Sequence, residues 1–145
     1  MATIQKSALV SYSASEMFGI VDDIDSYVEF LPWCGSSKVI KRESDEVEAS
    51  IQISHSRIRK TFTTRNRLQK NKMIEMKLVD GPFKHLHGYW QFMELGKNAC
   101  KVTLDLEYEF ASRLMDISLG PVFKSIANSM VDAFCKRADD LHGKK

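Results

Sequence analysis

Between Glu48 and Glu75 the chain carries seven cationic side chains and no acid: Arg57, Arg59, Lys60, Arg65, Arg67, Lys70 and Lys72. Read at a period of two, this stretch puts Arg57, Arg59, Thr61, Thr63, Arg65 and Arg67 on one face of a strand. Ile58, Lys60, Phe62, Thr64, Asn66 and Leu68 fall on the other. Guanidinium groups grip phosphate in two-point contacts, and threonine hydroxyls between them donate to phosphate as well. The face therefore predicts an anionic partner held at Arg57, Arg59, Arg65 and Arg67, with affinity that falls as salt rises. No aromatic side chain interleaves with the arginines, so stacking on single-stranded bases is not expected. The plainer alternative is a solvated outer face whose charges discourage strand-edge pairing.

Other chemistry is thinly represented. Cys34, Cys100 and Cys135 are widely spaced, without CxxC, and fit neither a disulfide framework nor a zinc ribbon. Free thiols in a reducing compartment are the expectation. His85 and His87 could share one side of a strand, but no third ligand is evident, and no metal site is predicted. There is no G-x-S-x-G and no phosphate-cradling glycine loop. Cys34 has no evident general base beside it, and Asp22 and Asp23 read as solvated acids. The expectation is a binding protein, not an enzyme, with no catalytic residues and no required cofactor.

The elements that would position these residues are legible. Thr3 to Ser11 alternates as an edge strand. Ser13 and Glu16 form a capping box ahead of a helix carrying Met17, Phe18, Ile20, Val21 and Ile24. A second short helix covers Ser26 to Phe30 and is stopped by Pro32. Strands follow at Val39 to Arg42, around Val47 to Ile53, from Ile58 to Leu68, at Ile74 to Leu78, around Trp90 and Phe92, and from Val102 to Phe110. The last alternates cleanly, with one face buried and one wet. The final third switches to helical period: Phe123, Ile126, Ala127, Met130, Val131, Phe134, Ala138 and Leu141 make one apolar stripe, with Pro121 expected in the first turn. The order is β-α-α-β-β-β-β-β-β-α: an α+β chain of helix-grip architecture in which a curved antiparallel sheet wraps a long C-terminal helix.

The chain has 145 residues, 43% hydrophobic and 28% charged, with formal net charge +2. That is the size of one domain spanning 1–145, able to bury ~70% of the surface an unfolded chain exposes. It shows no leader-like N-terminal segment and no run of 18 apolar residues, which predicts a cytoplasmic protein without a transmembrane segment.

Several runs carry a family resemblance. They are Tyr27-Val28-Glu29-Phe30-Leu31-Pro32-Trp33-Cys34, Phe62-Thr63-Thr64-Arg65-Asn66, Leu78 through Leu86 around Gly81-Pro82-Phe83-Lys84-His85, Gly120-Pro121-Val122-Phe123, and Ile126 through Ala138. Spread over nearly the whole chain, they resemble the family of bacterial ribosome association toxins and mitochondrial coenzyme Q-binding START-domain proteins. The resemblance implies a helix-grip fold. It also implies one of two activities: binding the large ribosomal subunit to block subunit joining, or holding a polyprenyl quinone in support of respiration. The first makes ribosomal RNA the anionic partner, implies a small protein antitoxin, and predicts that charge reversal at Arg59 and Arg65 abolishes binding. The second makes the space between sheet and helix the site, for ubiquinone or another isoprenoid lipid. Phe30, Leu31, Trp33, Phe62, Phe83, Leu86, Trp90, Phe92, Phe123, Met130 and Phe134 are the expected lining. In the loop at Gly81, Phe83 would plug the cavity mouth and Lys84 would meet a polar head group. For each lining residue taken singly, ordinary core packing is the competing reading. Some related helix-grip folds are cyclases and dehydratases, which leaves an enzyme as a third reading.

Overall fold

The computed structural model describes residues 2–143. Helix α1 (Ala14–Asp22) starts where the capping box puts it. Ser13 Oγ accepts from the Glu16 backbone N–H at 3.1 Å, and the Glu16 carboxylate accepts from the Ser13 N–H at 3.0 Å. Two orphan donors of the first turn are thereby satisfied. A single 3-10 turn (Ile24–Ser26) leads into the one-turn helix α2 (Tyr27–Phe30). Leu31 then turns to extended backbone ahead of Pro32, as steric clash with the proline ring requires.

Seven strands form one antiparallel sheet: β1 (Ala2–Val10), β2 (Cys34–Arg42), β3 (Glu46–His55), β4 (Ile58–Gln69), β5 (Met73–Asp80), β6 (Phe83–Gly96) and β7 (Ala99–Phe110). Their order is β1-β7-β6-β5-β4-β3-β2, so β2 to β7 run as a meander and β1 closes one edge beside β7. Register shifts in the β2–β3, β4–β5 and β6–β7 pairs supply the local kinks that let such a sheet bend. Two of them, at Cys34/Ser36 and Val39/Lys41, explain why β2 is longer than the Val39–Arg42 segment predicted from alternation: a bulge breaks the period-two pattern without ending the strand. At the β5–β6 turn, Gly81 has φ +151°, and a Cβ there would lie 2.6 Å from Phe62 Cβ. Only glycine fits both the backbone and the space.

Helix α3 (Arg113–His142) packs against β1, β7 and α1. It begins eight residues before the predicted start. Ser112 is its N-cap, accepting from Met115 N–H at 3.1 Å, and Pro121 lies inside it. The first two turns escaped detection because they carry no inward stripe: Leu114 and Ile117 are 73% and 66% exposed. Pro121 is tolerated because it lies on the exposed side, where the Ile117 carbonyl it leaves unpaired can be hydrated. Leu141, predicted to be inward, is 52% exposed near the far end of the helix.

The core lies between sheet and helix in two aromatic clusters. Phe123 meets Tyr108 at 4.7 Å and Phe83 at 5.0 Å, with Phe62 and Phe110 around them. One helical stretch further on, fully buried Phe134 meets Trp90 at 5.1 Å, Tyr27 at 5.3 Å and Phe30 at 5.6 Å, mostly edge to face. Such pairs add ~0.5–1.5 kcal/mol beyond burial.

Candidate functional site

Between these clusters the packing is incomplete. A cavity of about 80 Å³ is left, bounded by β3 to β7, the α1–α2 connection and the middle of α3. Six predicted residues line it: Trp33, Phe62, Leu86, Trp90, Phe123 and Met130. The other six do not. Phe92 packs edge-on to Phe18 of α1, and Leu31 is buried outside the lining. Phe134 sits in the second aromatic cluster. Phe30 lies beneath the Arg137 guanidinium, 4.7 Å from its ring centre. Phe83 is 5% exposed and stacked on Phe110 at 5.0 Å, so it is a core residue, not a plug. Lys84 alternates to the outer face, where its ammonium stands 4.0 Å from the Glu109 carboxylate and meets no cavity mouth.

The lining residues that sequence reading missed include Ile51, Met76, Leu104 and Ile126, and two polar ones, Thr64 and Asn66. Each of the latter is 5% exposed, and Thr64 Oγ1 donates to Asn66 Oδ1 at 2.9 Å. The signal was present: both fall in the inward phase of β4, between Phe62 and Leu68, where an apolar residue is the norm. Polar groups in such a place are costly unless they are hydrogen-bonded. Among the described residues, no carboxylate, imidazole or thiol lines this cavity. Tyr27 reaches it, but its hydroxyl donates to the Val21 carbonyl, and burial pushes its ionisation well above the tyrosine range. Trp33 and Ile126 line both the cavity and an adjoining open groove of about 440 Å³ between Pro32, His55 and Val122.

The arginine face is altered more deeply. Arg57 is not on a strand but in the β3–β4 turn. Arg59 donates from Nη1 to the carbonyls of Ser56 and Ile58, both at 2.9 Å, clamping a turn in which Ser56 has φ 55°. Arg65 is 3.0 Å from Glu48 Oε1. Arg67 stands opposite Glu46 on one side and Glu75 on the other. The acid-free stretch of sequence is thus flanked in space by acids of β3 and β5. Phosphate binding on this face would have to compete with contacts already made. On the same outer surface, His87 Nε2 is 2.8 Å from Glu75, and His85 Nε2 is 3.1 Å from Glu107. The hydrogen bond from His87 holds the Glu75 carboxyl below its usual range. No group of three potential metal ligands is found among the described residues.

Cationic side chains without ion pairs gather at another place. The β4–β5 and β6–β7 turns lie at one end of the sheet, where the Phe92 N–H donates to the Lys72 carbonyl. Lys70, Lys72, Lys97 and Lys101 are all exposed there, and no ion pair involves them among the described residues. In the register, Met93 and Leu9 flank Lys101, and both are more than half exposed.

Cys34 is buried, its thiol donating to the Ser36 carbonyl, and burial raises its ionisation. It is a poor nucleophile.

A curved antiparallel sheet gripping a C-terminal helix, with a pocket between them, defines a helix-grip protein. From residue 10 to residue 135 the sequence matches the family described as polyketide cyclase / dehydrase and lipid transport, and the chain belongs to that family. Within it, the chain is 47% identical over 140 residues to the ribosome association toxin RatA of Pseudomonas aeruginosa, covering 97% of each. It is 27% identical over 147 residues to the mitochondrial coenzyme Q-binding protein of Dictyostelium discoideum, covering 99% of this chain and 72% of that one. Among solved structures, an 18 kDa protein of Caulobacter crescentus superposes with TM-score 0.76 and 31% identity, covering 99% and 100% of the two chains. No described helix is long and apolar enough to cross a membrane.

Proposed function

We propose that this chain is a ribosome association toxin that acts in the cytoplasm by binding the large ribosomal subunit and hindering its union with the small one. The observation that carries this reading is the 47% identity to RatA across 97% of both chains. The site chemistry is consistent with binding: the cavity offers apolar walls and an amide, and no acid, base or nucleophile. A small protein antitoxin belongs to the same reading. The ribosome-facing surface is the lysine end of the sheet, Lys70, Lys72, Lys97 and Lys101, because those ammonium groups are without ion pairs, whereas Arg59 and Arg65 are already engaged. Exposed Met93 and Leu9 would add apolar contact there.

The test is a sucrose-gradient profile of purified subunits reassociating with the protein present. Free subunits should persist, with the protein travelling with the large one, and the effect should fade as salt rises. Normal reassociation with the protein left at the top of the gradient would refute the reading.

A second reading, carriage of a polyprenyl quinone, draws support from the Dictyostelium relative and from flexible Met76 and Met130 in the cavity wall. Ligand pockets usually run to ~300–1,000 Å³. A quinone would therefore have to widen this cavity, with Met76, Met130 and Trp33 moving. Mass spectrometry of solvent extracts from the purified protein tests it, and clean extracts together with no uptake of added ubiquinone would exclude it.

A further inference from the structure

Asp116, Gly120 and Lys124 follow one another at steps of four in α3 and so share one face of the helix. With the end of β7 they line an open groove of about 600 Å³, which shares no lining residue with the cavity between sheet and helix. Asp116 and Lys124 form no ion pair, with each other or with any other described residue. Glu109, also on the rim, stands 4.0 Å from Lys84. One carboxylate and one ammonium are therefore left uncommitted on opposite sides of Gly120.

Two further features shape the groove. Gly120 sits in mid-helix without a positive φ, a place where glycine costs ~0.5–1 kcal/mol against alanine. Space is the reason: a Cβ there would lie 2.9 Å from Asp116 Oδ1 and 3.8 Å from the Phe110 ring. The missing side chain lets the Asp116 carboxylate lie across the helix toward β7. Tyr108 is 4% exposed and lines the groove, yet its hydroxyl makes no hydrogen bond among the described residues. The one fully buried side-chain polar atom without a partner among those residues is Asp22 Oδ1, so the Tyr108 oxygen opens on the groove. Burial first, and then the Asp116 charge, raise its ionisation.

The arrangement selects a ligand by charge. A simple cation meets Lys124 and a simple anion meets Asp116, so each loses at one end what it gains at the other. A zwitterion satisfies both. The Asp116 carboxylate lies over Gly120, one turn or about 6 Å of helix from Lys124. That gap suits the ammonium and carboxylate of one amino acid, not the distant ends of a peptide. Phe110, Pro121 and the 66% exposed Ile117 offer apolar surface for a side chain. We infer that this groove is a binding site for a free α-amino acid with a large apolar side chain, its ammonium held by Asp116 and Tyr108 and its carboxylate by Lys124. The inference stands apart from both functional readings: neither the ribosome assay nor the quinone extraction supports or refutes it.

The probes are L-phenylalanine and L-leucine, with phenethylamine and 3-phenylpropionate as phenyl controls that each lack one charge, titrated into the ¹⁵N-labelled full chain by NMR. The amino acids should bind and shift the backbone amides of Asp116, Gly120 and Lys124. Each control should bind about tenfold more weakly than L-phenylalanine, the effect of one charge-assisted hydrogen bond. Asp116→Asn should remove the advantage over 3-phenylpropionate, and Lys124→Met the advantage over phenethylamine. Binding of neither amino acid would overturn the inference. So would equal binding of the three phenyl probes, shifts confined to the cavity residues around Trp90, or preferences unchanged in both variants. The comparison of probes on the wild type decides even if a variant folds badly.

Discussion

The two faces of β4 are both polar, for opposite reasons. Outward, Arg59 and Arg65 look available in the sequence and are engaged in the fold, one by its own hairpin turn and one by Glu48. Inward, Thr64 and Asn66 look unremarkable in the sequence, yet they place two hydrogen-bonding side chains in the wall of an otherwise largely apolar cavity. Charge does not mark the cavity side of this strand; buried polarity does. A cation whose bonds are made contributes mostly to its neighbourhood, whereas a polar side chain in an apolar wall is costly unless it is hydrogen-bonded.

The contrast can be broken at several points. The largest expected effect lies where the inner face is fully packed: Phe134→Ala should cost ~3–5 kcal/mol in chemical denaturation, because three rings lose their partner around a buried void. Met130→Ala, half-buried beside a cavity that already exists, should cost less, under ~2 kcal/mol. Equal losses would mean that the cavity is filled in solution. Next comes the ribosome assay. Lys97→Glu with Lys101→Glu should weaken association with the large subunit by roughly tenfold or more and flatten its salt dependence. The Arg59→Glu, Arg65→Glu pair should do markedly less, and the opposite ranking would restore the outer face of β4 as the contact surface. Arg65→Ala should change stability by no more than ~1 kcal/mol, as for an exposed ion pair.

The smallest effect is a pH dependence on the outer face. The hydrogen bond from His87 lowers the Glu75 carboxyl from its ordinary value. The unfolded chain therefore takes up that proton first as pH falls. The stabilisation is complete above the ordinary carboxylate value and disappears as pH drops through the lowered one. Melting curves of wild type and Glu75→Gln should converge across that acidic window, with a modest gap above it because the pair is near the surface.

Much of this fold was readable in advance. Clean alternation in β7 and the stripe from Phe123 to Ala138 required a one-faced sheet and a long covering helix, and the meander followed from the short turns. The misses have particular causes. Bulges hid the start of β2, and the first turns of α3 lack an inward stripe. A proline was taken for a beginning when it lay inside the helix. The site was half legible. Aromatic residues cannot declare from sequence whether they face a void or each other, which is why Phe83 and Phe134 went to the clusters and Trp33 and Phe123 to the cavity. The acids beside the arginines were invisible because β3 supplies Glu46 and Glu48 from outside the acid-free stretch, and only the register reveals that. Asn66 was placed on its correct face and passed over because its neighbours were more conspicuous.

Pro121 has a consequence for the timing of motion in α3. With no amide hydrogen at that position, the hydrogen-bond ladder lacks a rung between the turns that carry Leu114 and Ile117 and those that carry Phe123 and Phe134. The first two turns are pinned mainly by Leu119, so they can open while the gripped half stays shut. Deuterium should therefore enter the amides before Pro121 far sooner than those after Phe123, which makes one continuous helix two kinetic units, with the boundary beside the groove that Pro121 and Val122 line.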